Sequence, residues 1–142
     1  MLYVKEYIFR GRRRARGKER RITLLVTLCA AVILLVAADL ISKAAAVSVL
    51  SQTGGALEFI PGLIRFEYHK NTGMAWGLFS NATWVFVVIT IVTGGLIVFI
   101  LLKTLKTMPR NLQLGLALVL SGAIGNLIDR VALGYVRDFI AF

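Results

Sequence analysis

Cysteine, histidine and acidic residues are scarce in this chain of 142 residues. The single cysteine, Cys29, excludes an intrachain disulfide. The single histidine, His69, has no second histidine or cysteine cluster with which to form a metal site. Seven acidic residues stand against 17 basic ones, which gives a net charge of +10. We therefore expect no metal centre, and we expect each carboxylate in an apolar setting to have a specific purpose.

Apolar residues, in contrast, are abundant. They make up 58% of the chain, and the mean hydropathy is +0.78. Soluble domains contain just under half apolar residues, so this composition indicates an integral membrane protein. A chain of this length has room for about three or four membrane spans with short loops. It has no room for a separate soluble domain of typical size.

Three apolar runs are long enough for membrane spans, at residues 22–38, 82–102 and 112–128. The first follows a basic segment, as in a secretory signal peptide, but it is longer than a usual h-region and lacks a small-x-small cleavage site, which favours an uncleaved anchor. The flanks can lengthen the shorter runs, with Lys43 or Arg130 snorkelling towards headgroups. The predicted fold is an all-α membrane protein with three transmembrane helices at about 22–42, 82–102 and 112–128.

Basic residues predict the orientation of these spans. Eight Lys and Arg residues lie between positions 10 and 21, and the short loop 103–110 has three more and no acid. Both segments should be cytoplasmic, with the loop 43–81 and everything after residue 129 outside. Residues 1–21 then form a basic cytoplasmic tail and residues 22–142 one membrane domain. We expect the tail to be attracted to anionic membrane lipids, and nucleic acid binding is disfavoured because no aromatic residues are interleaved.

The outer loop contains a strand pattern. Ile64, Phe66 and Tyr68 alternate with Arg65, Glu67 and His69 after the turn residues Pro61-Gly62. This period of two is typical of a half-buried strand, so we predict a small extracytoplasmic β-sheet. His69 falls on the charged face, which favours a solvated position over a metal ligand.

Three aspartates fall near the outer ends of the spans, namely Asp39, Asp129 and Asp138. Carboxylates at one membrane depth suggest carboxylate chemistry, because burying them is costly. Two carboxyl groups about 3 Å apart share one proton, and the ionised member can then activate water. Asn126 and Asp129, three residues apart, project from one helical face and can share such a site.

Four segments resemble motifs of one family, the lipoprotein signal peptidases (signal peptidase II). DLISK at 39–43 resembles its D-x-x-[ST]-K element, and NTGMAWG at 71–77 resembles N-x-G-x-A-[FW]-[GS]. GAIGNLIDR at 122–130 is close to G-A-x-G-N-x-x-D-R, and GYVRDFI at 134–140 matches G-x-V-x-D-F. The four motifs occur in the family's order, across residues 22–142.

The resemblance implies a multi-pass enzyme of the bacterial inner (cytoplasmic) membrane, with its active site at the outer face. It implies an aspartic endopeptidase that binds the signal peptide of a diacylglyceryl-modified prolipoprotein and cuts just before the lipidated cysteine. The expected partners are these signal peptides and membrane lipids, with no cofactor and no nucleic acid, and we expect a monomer. The family has four transmembrane helices, one more than this chain is predicted to contain.

Site residues carry over by motif position. Asp138 corresponds to one catalytic aspartate, and the second belongs to an F-N-x-A-D element at the start of the fourth helix, which would lie beyond Phe142. Asp129 is an alternative partner for Asp138. Arg137 stands where the family usually has a small apolar residue and is expected to place a cation beside Asp138. The expected substrate-binding or supporting residues are Asp39, Lys43, Asn71, Gly73, Asn126, Asp129 and Arg130.

Two other hypotheses stay open. Because the second aspartate is absent, the chain can also be a non-catalytic protein, either a truncated and inactive relative or a small membrane scaffold. A transporter or proton channel subunit would use the same acids as an ion path, but such a path needs acids spread through the membrane depth. Here the aspartates gather near one surface, which disfavours that hypothesis.

Overall fold

The computed structural model of the protein describes residues 2–73 and 83–141, with side chains from residue 16 onwards in those ranges. All three helices of this part contain a segment long and apolar enough to cross a membrane. Three strands accompany them. The prediction of an all-α membrane protein with three spans and a small sheet is confirmed. In chain order the elements are α1 (Leu2–Gln52), β1 (Ala56–Ile60), β2 (Ile64–Asn71), α2 (Thr83–Thr104), α3 (Arg110–Leu133) and β3 (Val136–Ala141).

Helix α1 is much longer than the predicted first span. It runs through the basic tail and continues ten residues beyond position 42, into the segment that we predicted as the start of the outer loop. Residues 43–52 contain three consecutive alanines and neither Gly nor Pro, so nothing interrupts the helix there. It ends before Gly54 and Gly55, whose φ angles of 81° and 96° suit glycine. At 1.5 Å per residue, the 51 residues span about 76 Å, more than twice the hydrocarbon core.

The helices form a bundle in which α3 packs against both α1 and α2. Ala117 and Leu120 of α3 are buried in this packing. The outward surfaces carry exposed apolar side chains on each helix, such as Leu34 at 70% and Leu118 at 56%. In water such surfaces would be unfavourable, whereas in a bilayer they face lipid tails.

A three-stranded antiparallel sheet in the order β1-β2-β3 lies at one end of the bundle. Strand β2 confirms the predicted alternation, since Arg65 and His69 both contact Glu67 along its polar face. Strand β3 was not predicted. It follows Gly134, whose φ of 84° ends α3 and whose N–H donates to the carbonyl of Arg130 at 3.0 Å. The register places Asp138 opposite His69.

Candidate active site at the end of the bundle

Asp129 is the most deeply buried charged residue of this end of the bundle, with 1% of its surface exposed. Arg137 donates to Oδ1 through Nε at 3.1 Å and Nη2 at 2.7 Å, and its backbone N–H donates to Oδ2 at 3.1 Å. Lys43 Nζ lies 3.5 Å from the same Oδ2. A buried carboxylate is stable only when paired and hydrogen-bonded, and Asp129 meets both conditions. It therefore ties β3 and α1 to α3.

Lys43 extends this network across α1. Its ammonium lies 2.9 Å from Oδ2 of Asp39, one turn earlier, and donates to Oδ1 of Asn126 at 2.7 Å. The side chain is 6% exposed, so the prediction that Lys43 snorkels to headgroups is wrong. The physical reason is that two carboxylates and an amide oxygen offer the ammonium better partners than the membrane surface does.

Helices α1 and α3 approach closely at this network. A Cβ built on Gly125 would overlap Oδ2 of Asp39 and would lie 2.9 Å from its Cγ. A residue with any side chain at position 125 would therefore displace the Asp39 carboxylate from Lys43. Glycine at this position is a packing requirement of the site.

The substitution Gly125→Ala should lower the thermal unfolding midpoint, because an added methyl group overpacks the site at a cost of about 1–3 kcal/mol. Gly122→Ala on the same helix is the matched control, since a Cβ there would meet nothing within 4 Å. Alanine at position 122 should raise the midpoint slightly through its better helix propensity. Circular dichroism of both variants in detergent gives the two midpoints, and equal shifts would contradict the close approach.

Asp138 has a different set of neighbours from Asp129. Its Oδ2 accepts a hydrogen bond from Nδ2 of Asn71 at 2.7 Å, and Oδ1 of Asn71 accepts from the N–H of Gly73 at 2.9 Å. Adjacent strand residues point to opposite faces, so Arg137 and Asp138 diverge. The expectation that Arg137 places its cation beside Asp138 is therefore wrong, because its guanidinium binds Asp129 instead.

Arg130 connects α3 to the segment after β2. Its guanidinium lies 5.3 Å from the centre of the Phe86 ring, and Nη2 is 3.5 Å from the carbonyl oxygen of Gly73. The negative charges of Asp138 and Asp129 both attract this guanidinium. This half-buried position differs from the predicted snorkelling, because an aromatic face and a carbonyl already receive the cation. The rest of the motif at 71–77, from Met74 on, lies outside the described residues.

The protonation states on the sheet side of the site are settled by hydrogen bonds. The carboxylate of Asp129 raises the pKa of Arg137 above its usual value, so Arg137 is charged at every accessible pH. The hydrogen bond from Tyr68 to the hydroxyl of Tyr135, 3.2 Å long, raises the pKa of Tyr68 to about 12. Both groups therefore keep one charge state near neutral pH.

All eight residues that the motifs singled out lie at this end of the bundle. The structure joins Asp39, Lys43, Asn126 and Asp129 in one network and joins Asn71, Gly73 and Asp138 by hydrogen bonds, while Arg130 contacts the Gly73 carbonyl. The role of Arg137 as the main partner of Asp129 was not predicted from the sequence. Strand alternation was the available signal, because it separates Arg137 from Asp138.

Two solved structures share this fold. A bacterial membrane enzyme determined at 2.3 Å by the in meso method superposes with a TM-score of 0.64 at 32% identity, covering 81% of this chain and 69% of that one. A second, at 1.9 Å, gives a TM-score of 0.61 at 33% identity, covering 80% and 72%. The fold is thus that of a class of bacterial membrane enzymes.

The sequence narrows this class to one family. The pattern of Signal peptidase (SPase) II matches residues 31–142. The lipoprotein signal peptidase of Enterococcus faecalis is 43% identical over 107 residues, which are 75% of this chain and 65% of that protein. The one from Streptococcus pyogenes is 42% identical over 111 residues, 76% and 70% of the two chains. The chain belongs to the signal peptidase II family, as its four motifs predicted.

The match covers only part of some relatives. The chain spans 65% of the Enterococcus faecalis protein. It spans 59% of the lipoprotein signal peptidase of Caldanaerobacter subterraneus, to which it is 43% identical over 88 residues.

Proposed function

We propose that this protein is an aspartic endopeptidase that removes the signal peptide of diacylglyceryl-modified prolipoproteins, cutting just before the lipidated cysteine. One observation carries the proposal. Three aspartates lie at one end of an apolar bundle, and two of them are paired with cations at salt-bridge distance, Asp39 with Lys43 and Asp129 with Arg137 and Lys43. Asp138 contacts a neutral amide, which leaves its carboxylate available for proton transfer.

Asp138 acts with the second aspartate of the family's F-N-x-A-D element. At about 3 Å the two share one proton. The ionised carboxylate removes a proton from water, whose oxygen attacks the scissile carbonyl carbon, while the other carboxyl group protonates the carbonyl oxygen. Collapse of this tetrahedral species breaks the C–N bond and delivers a proton to the leaving amine of the lipidated cysteine. Asp129 is unsuited to the partner role because three groups already hold it.

The other site residues position Asp138 and the substrate. Asn71 orients the carboxylate of Asp138, and the turn at Gly73 holds Asn71 in place. The Nε of Arg130 is buried and makes no hydrogen bond to the described residues, and its Nη2, 3.5 Å from the carbonyl oxygen of Gly73, supports the turn that holds Asn71. The orientation that we predict from the basic residues, with the N-terminus in the cytoplasm, puts this site at the outer surface, where lipidated precursors lie.

The test uses cells depleted of their own lipoprotein signal peptidase. They express the 142-residue chain, either alone or joined after Phe142 to the part of the Enterococcus faecalis enzyme beyond the matched region. Immunoblots of a reporter prolipoprotein should show maturation with the joined chain and precursor with the chain alone, which lacks the second aspartate. A joined chain that is present in the membrane but leaves the precursor intact, also when the Streptococcus pyogenes segment replaces the first, would overturn the proposal.

A further inference from the structure

An apolar groove runs between the three helices at the end of the bundle opposite the sheet. Its volume is about 260 Å³. Leu101, Leu105 and Ala117 are buried along its floor, and Leu25 and Cys29 belong to its α1 wall. The wall from position 25 to 33 extends over about 12 Å at 1.5 Å per residue. None of the residues that line the groove belongs to the candidate active site.

Basic residues lie next to this groove on α1 and around the end of α2. Lys103 and Lys106 directly follow Leu102 and Leu105, which line it. On α1, Arg21 and Gly17 lie one and two turns before Leu25, in the same row of the helix surface. A Cβ built on Gly17 would lie 3.8 Å from Nζ of Lys106, so the two sides meet above the groove.

We call the cations of the two segments next to the groove, 16–21 and 103–110, the basic rim. All its members are exposed. Segments 16–21 and 103–110 together contain one acidic residue, Glu19. Lys103 forms no ion pair with the described residues, and its ammonium lies 5.1 Å from the centre of the Phe99 ring. The basic rim comprises Arg16, Lys18, Arg20, Arg21, Lys103, Lys106 and Arg110.

We propose that the groove and the basic rim together bind an anionic phospholipid, with one acyl chain in the groove and the phosphate on the rim. A helix with side chains is about 10–12 Å across, so a groove of about 260 Å³ along about 12 Å suits a slender chain better than a helix. The acyl chains of all membrane lipids are as apolar as the lining, so the lining can distinguish ligands by their shape but not by their polarity. Selectivity comes from the cations, as in basic pockets between membrane helices.

The experiment uses Cys29, the only cysteine of the 142 residues, which lies in the groove wall. A small fluorophore is attached to its thiol, and brominated acyl chains that come close to it quench its fluorescence. Quenching is compared between two vesicle preparations, one with brominated phosphatidylglycerol and one with an equal mole fraction of brominated phosphatidylcholine. Phosphatidylglycerol should bind at least about fivefold more strongly, the equivalent of one basic residue near the surface.

A control position separates a bound lipid from lipids that merely accumulate around the protein. Val26 is 62% exposed and does not line the groove, so Val26→Cys in a Cys29→Ala background samples the surrounding lipid at nearly the same depth. The preference at position 26 should be clearly smaller. Replacing Lys103 and Lys106 by Gln should reduce the preference at Cys29 to that level, while Lys70→Gln on the sheet should leave it unchanged.

Three results would overturn the proposal. Equal quenching by the two lipids at Cys29 would mean that the rim does not select charge. Equal preference at positions 26 and 29 would mean general accumulation of anionic lipid without a bound molecule. Absence of quenching at Cys29 would mean that protein fills the groove, either a further helix or a second copy of the chain. None of these readouts depends on peptidase activity.

Discussion

Asp138→Asn in the joined chain should reduce prolipoprotein maturation by at least about 10³-fold, because positioned acid–base groups typically contribute 10²–10⁴-fold and both protons pass through the dyad in the proposed mechanism. The amide keeps the size of the side chain and can still accept the hydrogen bond from Asn71. Stability should therefore change by no more than about 1 kcal/mol, the net worth of one hydrogen bond. We therefore expect this variant to lose peptidase activity while the protein stays folded.

The matched control for this variant is Glu58→Gln. Glu58 is an exposed acid of β1 in the same sheet, so its substitution makes the same change of charge outside the site. Maturation should remain at the level of the unsubstituted joined chain. Pulse-chase labelling of a reporter lipoprotein gives both rates. Full activity of the Asp138→Asn variant would remove Asp138 from the mechanism.

Asp129→Asn should produce the largest loss of stability among the site variants. It leaves Arg137 and Lys43 next to a neutral amide in a site where Asp129 is 1% exposed. Removing one partner of a buried ion pair typically costs about 3–5 kcal/mol, because the remaining charge is uncompensated. Lys43 keeps Asp39 at 2.9 Å, so Arg137 bears most of the loss.

Thermal unfolding in detergent tests this expectation, with Glu67→Gln as its control. Glu67 pairs with Arg65 on the sheet surface, where an ion pair contributes about 0–1 kcal/mol. A double-mutant cycle with Arg137→Gln should give a coupling of about 1–3 kcal/mol between Asp129 and Arg137. A coupling near zero, or equal losses for positions 129 and 67, would mean that Asp129 does not anchor β3.

Local patterns were sufficient to predict the spans and strand β2. Apolar runs of membrane length and an alternation of period two each act over neighbouring residues, so they can be recognised without knowing the fold. They also placed Asp39, Asp129 and Asp138 near one end of the bundle. The length of α1 was underestimated because Asp39 and Lys43 look like a helix end, whereas their pairing allows the helix to continue to Gln52.

The contacts between the site residues were not predictable from such patterns. Lys43 and Asn126 are 83 residues apart, and their hydrogen bond depends on the close approach of α1 and α3 at Gly125. Strand β3 is a short run behind a glycine, and its pairing with β2 decides that Arg137 faces Asp129. These outcomes are properties of the packed bundle, so they emerge only when the helices and the sheet are placed together.

Mapping the cleaved bond tests the central claim most directly. The purified joined chain, in lipid nanodiscs, is incubated with a diacylglyceryl-modified prolipoprotein, and mass spectrometry identifies the new termini. We predict one cut, just before the lipidated cysteine, and none with Asp138→Asn. Cleavage at another bond, or no cleavage by a folded joined chain, would contradict it.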